Sequence, residues 1–329
     1  MASKTLFRSM IGQLLPKTNT HNEEGRPAYA FSAQHALAQF AATGCLNSTF
    51  YASAEEQLDR ILTLCAEVEP EFIARAALYA RQKGFMKDLP ALLCAVLAVR
   101  SPGLLAEVFD RVIDSPKMLR NFVQIVRSGV VGRKSLGTLP KRLILQWLEH
   151  RSDEQLFTAS VGNDPSLADI VKMVHPKPAG ASRQALYGYL LGRQHDAAAL
   201  PDMVREYEAF KRADGKSRDS VPNVPFQMLT SLPMGKAEWA EIARNAPWQM
   251  TRMNLNTFAR HGVFESAEMV DLVARRLRSP ELVADARVLP YQLMVAYATA
   301  TDVPAAIRNA LQDAMEIAIR NVPRIEGKV

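Results

Sequence analysis

Ser53-Ala54-Glu55-Glu56-Gln57-Leu58-Asp59-Arg60-Ile61-Leu62-Thr63-Leu64-Cys65 decides the fold class, because it opens a helix and then keeps a helical period. Ser53 and Glu56 have the spacing of a capping box: the Ser53 hydroxyl accepts a first-turn N–H while the Glu56 carboxylate accepts the Ser53 amide. Leu58, Ile61, Leu62 and Cys65 then share one apolar stripe. A capping residue followed by proline, whose missing N–H costs nothing at the first helical position, recurs at Ser101-Pro102, Ser115-Pro116, Asp164-Pro165 and Ser279-Pro280. Farther along, Trp239, Ile242 and Ala243 fall on a single face, as do Met269, Leu272, Val273 and Leu277, and as do Ile307, Leu311, Ala314 and Ala318. Two-residue alternation is almost absent, so the chain reads as all-α. Helices of about ten to eighteen residues joined by short polar turns fit either a HEAT-like solenoid of stacked pairs or a compact bundle. Ala-rich faces such as Phe72 to Ala80 permit the close helix approach that both need. Arg212 to Pro225, with Gly215, Pro222 and Pro225, reads as a long loop or hinge.

A chain of 329 residues with 48% hydrophobic content can bury a sizeable core. Cys45, Cys65 and Cys94 are odd in number and embedded in apolar context, which fits reduced thiols of a cytoplasmic protein and neither a disulfide framework nor a zinc site. Residues 1–25 read as a flexible arm and not a signal peptide, since Gly12 and Gln13 interrupt the apolar patch that then runs into polar residues. Nowhere do about eighteen apolar residues run together, so no membrane span is expected. Residues 324–329 read as the beginning of a strand that the chain does not complete.

The charge is only mildly positive, +6 with a pI near 9.2, but it is segregated. Lys117, Arg120, Arg127, Arg133, Lys134, Lys141 and Arg142 lie in a window without Asp or Glu. A second acid-free window, from Ile170 to His195, holds Lys172, His175, Lys177, Arg183 and Arg193 around the turn His175-Pro176-Lys177-Pro178. Such windows suit a polyanion, nucleic acid first, although a solvated helix face produces the same pattern. His175 follows an apolar helix ending in Val174 and stands between two lysines, so it is expected to be exposed and able to meet a phosphate or a base. The candidate surface residues are therefore Lys117, Arg120, Arg127, Arg133, Lys134, Lys141, Arg142, Lys172, His175, Lys177 and Arg183.

Catalytic chemistry is not indicated. None of the six histidines has metal-ligand spacing, so neither a metal nor another cofactor is expected. Gly129-Val130-Val131-Gly132-Arg133-Lys134-Ser135 fails as a phosphate loop, because Arg133 separates the glycine from Lys134-Ser135 and no strand precedes it. It reads as a helix stop followed by a basic turn. No nucleophile, acid/base pair or paired carboxylates stand out, and the chain is expected not to be an enzyme.

Several segments together resemble the TROVE domain of the Ro ribonucleoprotein family: Thr43 to Ala52, Gly132-Arg133 with Trp147, Val174-His175-Pro176-Lys177-Pro178, Leu229-Thr230-Ser231 through Trp239 to Met253-Asn254-Leu255, and Leu289-Pro290-Tyr291-Gln292. They run in order along nearly the whole chain. The resemblance implies a closed ring of HEAT-like repeats over residues 26–323. It implies small noncoding Y-like RNA on the outer surface, and single-stranded 3′ ends of misfolded RNA in the central channel. The role implied is RNA quality control, with an exoribonuclease engaged through the bound RNA. Arg252, Asn256 and Arg260, four residues apart and so on one helix face, are expected to line the channel with Asn254. Two departures stand out. Relatives continue into a von Willebrand A domain with its own divalent metal, whereas this sequence stops at Val329; and the basic pair that animal members carry before the histidine is matched by Thr158 and Gly162. A helical-repeat scaffold for other proteins is the alternative class.

Overall fold

The computed structural model describes residues 19–22, 24–44, 46–48, 52–213 and 220–322. It is all-α apart from one short antiparallel pairing, Thr20–His21 (β1) with Pro27–Ala28 (β2). Its turn is tied by the Asn22 carboxamide oxygen, which accepts the Glu24 and Arg26 amides at 3.1 and 2.8 Å. The proposed strand start at 324–329, most of the flexible arm and Cys45 lie outside the described residues. Among the described residues no helix is long and apolar enough to cross a membrane.

Contacts divide the chain into two compact units, Met1–Pro201 and Asp202–Val329. The first carries α1 (Ala33–Thr43), α2 (Ala54–Glu67), α3 (Pro70–Gln82), α4 (Asp88–Arg100), α5 (Pro102–Val112), α6 (Pro116–Ser128), α7 (Thr138–Glu149), α8 (Asp153–Ala159), α9 (Leu167–Val174) and α10 (Ala181–Leu190). At its centre is α4, buried without interruption from Leu89 to Ala98. A helix apolar on every side has to be enclosed, and α3, α5 and α6 enclose it. Burial pushes the Cys94 thiol on this helix far up and that of Cys65 on α2 up to about 12, which keeps both protonated and unreactive.

The opening motif behaves as its spacing requires. Ser53 Oγ accepts the Glu56 amide at 3.1 Å, and Glu56 Oε2 accepts the Ser53 amide at 2.7 Å. Ile61 and Cys65 are buried, with Gln57 joining their stripe by donating to the Asn47 carbonyl at 2.6 Å. Ser101, Ser115 and Ser279 also precede helices with proline in the first turn, but of the three only Ser279 caps, accepting the Leu282 amide at 3.3 Å, while Ser101 and Ser115 make no side-chain capping bond. Asp164-Pro165 does not open a helix. Asp164 has φ +59, and the helix starts two residues later, at Ser166, which forms a capping box with Asp169.

The second unit carries α11 (Asp202–Arg212), α12 (Phe226–Leu229), α13 (Lys236–Asn245), α14 (Trp248–Met253), α15 (Leu255–Arg260), α16 (Ala267–Leu277), α17 (Pro280–Ala286), α18 (Pro290–Thr299) and α19 (Ala305–Ala318). Trp239, Ile242, Ala243, Phe258 and Met269 form one core; Val273, Leu277, Ile307, Leu311, Ala314 and Ala318 belong to another. Of the long loop, residues 214–219 lie outside the described residues.

Helix C-termini are closed by arginines from later in the chain. Arg100 donates to the carbonyls of Cys65 and Val68 at the end of α2, Arg133 to Ala98 near the end of α4, and Arg183 to Leu148 and Arg151 at the end of α7. The leading bond of each spans 35 residues. In the second unit Arg276 does the same across 33 residues, donating to Ala243 and Arg244 at the end of α13 and to Thr251 Oγ1. The last carbonyls of a helix have no intrahelical donor, and a guanidinium supplies several donors together with a charge that suits the helix dipole. Tryptophans act alike: Trp147 Nε1 donates to Ile113 at 2.7 Å and Trp248 Nε1 to Leu277 at 3.0 Å.

Arg276→Met is therefore expected to destabilise the protein by about 2 to 3 kcal/mol, since it leaves half-buried carbonyls without a donor. Arg275→Met, which removes only an exposed pair with Asp271, is expected to cost under about 0.5 kcal/mol. Urea titrations of the two variants, followed by circular dichroism, provide the comparison.

Candidate nucleic-acid interface

The site is built on α9 and α10 and on the segment 175–180 between them. Capping fixes the start of α9: Ser166 Oγ accepts the Asp169 amide at 3.1 Å, and Asp169 Oδ2 accepts from the Ser166 amide and hydroxyl at 3.1 and 2.6 Å. Its end is His175, whose amide donates to the Val171 carbonyl at 3.0 Å while its backbone turns left-handed at φ +53. Pro176 follows and prevents any return to helix. The imidazole is exposed, as the sequence suggested.

Two clefts open along this ridge and share Lys172. One, of about 580 Å³, is lined by Gln124, Arg127, Asp164, Asp169, Lys172 and Met173, with Arg127 Nη1 lying 2.7 Å from the Met173 sulfur. The other, of about 380 Å³, is lined by Lys172, His175, Gln184, Tyr187, Arg193 and Gln194 among others. Arg193 arrives through a turn in which its amide donates to the Gly188 carbonyl at 2.8 Å. A side chain at Gly188 would collide with His195, so glycine permits that return. Lys177 lines a neighbouring cleft with Glu149, Asp153 and Arg183.

Arg127, Lys172, His175 and Arg193 thus converge. Arg193 belongs to the second basic window but was not singled out, and nothing local distinguishes Gln184 or Gln194. The remaining expected contacts divide in two. Lys134, Lys141 and Arg142 are exposed on the turn before α7 and its first turn and line neither cleft, and Lys117 lies 3.8 Å from Asp88. Arg120, Arg133 and Arg183 instead direct guanidinium groups inward, Arg120 to the Ala159 carbonyl at 3.1 Å and Arg183 to Asp153 as well as to the end of α7. Arg120 fills the space beside Gly162, which has φ +111 and whose added Cβ would come within 2.7 Å of the guanidinium. Thr158 donates its hydroxyl to the Gln155 carbonyl at 2.9 Å.

Arg252, Asn256 and Arg260 do not share one uninterrupted helix face, because a turn at Asn254, φ −116 and ψ 17, separates α14 from α15. Arg252 donates to the Gln292 carbonyl at 3.1 Å, Asn254 to Met250 at 2.9 Å and Asn256 to Thr299 at 2.9 Å, while Arg260 is exposed.

The chain superposes on the crystal structure of the Ro (RSR) protein of Deinococcus radiodurans with a TM-score of 0.63, at 20% sequence identity, over 89% of this chain and 65% of that one. The fold is that of a Ro protein. The resemblance drawn from the sequence therefore holds in three dimensions, and this chain spans less than two thirds of the length of the protein it matches. No protein-family model matches the sequence, and no curated protein matches it.

Asp169 links the capping of α9 to the basic cleft. Hydrogen bonds from Ser166 hold its carboxyl below the usual aspartate value, and Lys172 and Arg127 lower it further. A depressed folded-state pKa means that the capping contribution is present above the unfolded value and is lost as pH falls through the folded one. NMR titration of Asp169 is expected to show a midpoint below that of free aspartate. The double replacement Arg127→Gln, Lys172→Gln should raise that midpoint only part of the way, because the Ser166 bonds dominate.

Proposed function

We propose that this chain is an RNA-binding protein that holds a structured RNA along the α9–α10 ridge. The observation that carries the reading is the meeting of Arg127, Lys172, His175 and Arg193 on two clefts with one lysine in common. Cations that line a groove neutralise phosphates, whereas Gln184, Gln194 and His175 can bond to sugar hydroxyls and base edges. The Ro fold supports this reading because it is the fold that the sequence resemblance implies.

That resemblance takes the proposal further. The helical repeats would close into a ring, small noncoding Y-like RNA would occupy the outer surface, and single-stranded 3′ ends of misfolded RNA would enter a central channel. RNA quality control in the cytoplasm is the corresponding role, with an exoribonuclease engaged through the bound RNA and no catalysis by this chain. Within the second unit Arg260 is the side chain best disposed to meet an incoming strand, while Arg252, Asn254 and Asn256 are bonded to backbone carbonyls. Lys134, Lys141 and Arg142 extend the outer basic surface beyond the clefts.

Binding of a structured RNA should weaken steeply with salt, with a log–log slope on the order of −3 to −5 for about five phosphate contacts. Filter binding from dilute to near-molar salt measures it. An affinity indifferent to salt would instead favour a scaffold for other proteins.

His175→Ser is expected to cost about 1 to 2 kcal/mol of RNA affinity and to leave the thermal transition unchanged, since the ring is exposed and closes no cavity. A matching loss of stability in the free protein would make His175 structural.

A further inference from the structure

Arg75, Tyr79 and Lys83 succeed one another at four-residue intervals along the solvent face of α3 and its end, and Phe85 and Lys87 follow them, also exposed, in the turn into α4. Neighbours four apart on a helix have Cβ atoms roughly 5 to 6 Å apart. Tyr79 is 61% exposed and Phe85 46%, and with Tyr29, Phe31 and Tyr291 they are the open rings of Phe and Tyr type among the described residues. The stretch 72–87 contains Arg75, Arg81, Lys83 and Lys87 and not one Asp or Glu.

Neither ring hangs on a loose loop. Phe85 has φ +54, and its turn is clamped by Arg81, whose Nη1 donates to the Phe85 and Met86 carbonyls at 3.4 and 3.3 Å while its Nη2 pairs with Asp114 at 2.9 Å. The Met86 amide closes the turn on the Ala80 carbonyl at 2.9 Å. Arg111 of α5 reaches Gln82 at 3.0 Å and adds another cation beside the strip. Of the nearby acids, Asp114 is engaged by Arg81, Asp88 lies 3.8 Å from Lys117, and Glu71 stands one turn before Arg75. Arg75, Lys83 and Lys87 enter no ion pair among the described residues.

Exposed cations interspersed along the chain with exposed rings on a rigid support suit a single strand, in which each nucleotide offers one phosphate and one stackable base. A duplex keeps its bases stacked on one another and out of reach. An acidic peptide would engage the cations and leave the rings idle. We propose that the Arg75–Lys87 strip binds single-stranded RNA, with Tyr79 and Phe85 stacking on unpaired bases and Arg75, Lys83 and Lys87 neutralising the phosphates between them. This rests on the RNA-binding reading but concerns a surface separate from the α9–α10 clefts.

The test uses the full chain and an unstructured oligouridine of about a dozen nucleotides carrying 4-thiouridine. Anisotropy should show Tyr79→Ala binding it about tenfold more weakly and Tyr79→Phe nearly as well as the parent. Lys83→Gln with Lys87→Gln should weaken binding and flatten the salt slope by one to two units. Photocrosslinked peptides should include residues 75–87. A closed hairpin should bind all these variants as it binds the parent, whereas His175→Ser should weaken the hairpin alone. Unchanged oligouridine affinity in Tyr79→Ala, crosslinks confined to other segments, or displacement by an acidic peptide with no oligouridine binding would each overturn the proposal. If the parent binds the hairpin but no oligouridine, the strip fails and the RNA reading survives; if it binds neither, both fail.

Discussion

A helix that ends inside a protein must find donors for its last carbonyls, and the order of this molecule follows from how that requirement is met. Arg100, Arg133, Arg183 and Arg276 each reach back to the end of a helix 33 to 35 residues earlier. Every such bond fixes a later element against the mouth of an earlier helix, so successive helical pairs are held in sequence by the same chemistry. Apolar stripes supply the bulk of the driving force, but they are tolerant of small rotations and slides. A guanidinium bonded to two carbonyls is not, and it sets the register within which the stripes pack. Burial pulls Arg276 below its usual pKa, yet an arginine remains charged at any ordinary pH, so these closures do not titrate away.

The same requirement divides the positive charge into two populations. Arg120, Arg133 and Arg183 are consumed internally, which is why an acid-free window overstates the cations available to a ligand. Lys172, Arg127 and Arg193 remain at the surface, and their convergence depends on local devices. Gly188 admits the returning chain, the Ser166–Asp169 box starts α9 at the right residue, and the left-handed backbone of His175 stops it. Asp169 stays ionised among these cations, held so by its bonds from Ser166, and offsets part of their charge. Asp164 and Asp169 both line the cleft of Arg127 and Lys172, whereas no acid among the described residues lines the one with Lys172, His175 and Arg193, so the uncompensated cations are on the His175 side.

Gly162 illustrates how one position can change the chemistry of a surface. In the resemblance this place corresponds to a basic side chain; here the backbone is left-handed and the Arg120 guanidinium lies where a side chain would begin. The charge is present nearby, but it comes from another helix and is bonded to the end of α8. The cleft at the α9–α10 turn takes its cations from Lys172 and Arg193 instead.

By itself the sequence determined the helical class, most helix starts and the positions of the buried stripes, because capping and 3.6-residue periodicity are properties of neighbours along the chain. Ser53 with Glu56, the Gly129 stop and the exposed His175 were all legible in this way. Tertiary structure alone decided which arginines face inward, since a carbonyl 35 residues away leaves no trace in the residues around Arg133 or Arg183. It also broke the even spacing of Arg252, Asn256 and Arg260 at Asn254, moved the start of α9 from Asp164 to Ser166, and brought Arg193 to Lys172. Local sequence specifies what each helix can do, but the partners of a long, flexible cation are chosen by whichever unsatisfied oxygens the fold brings within its reach.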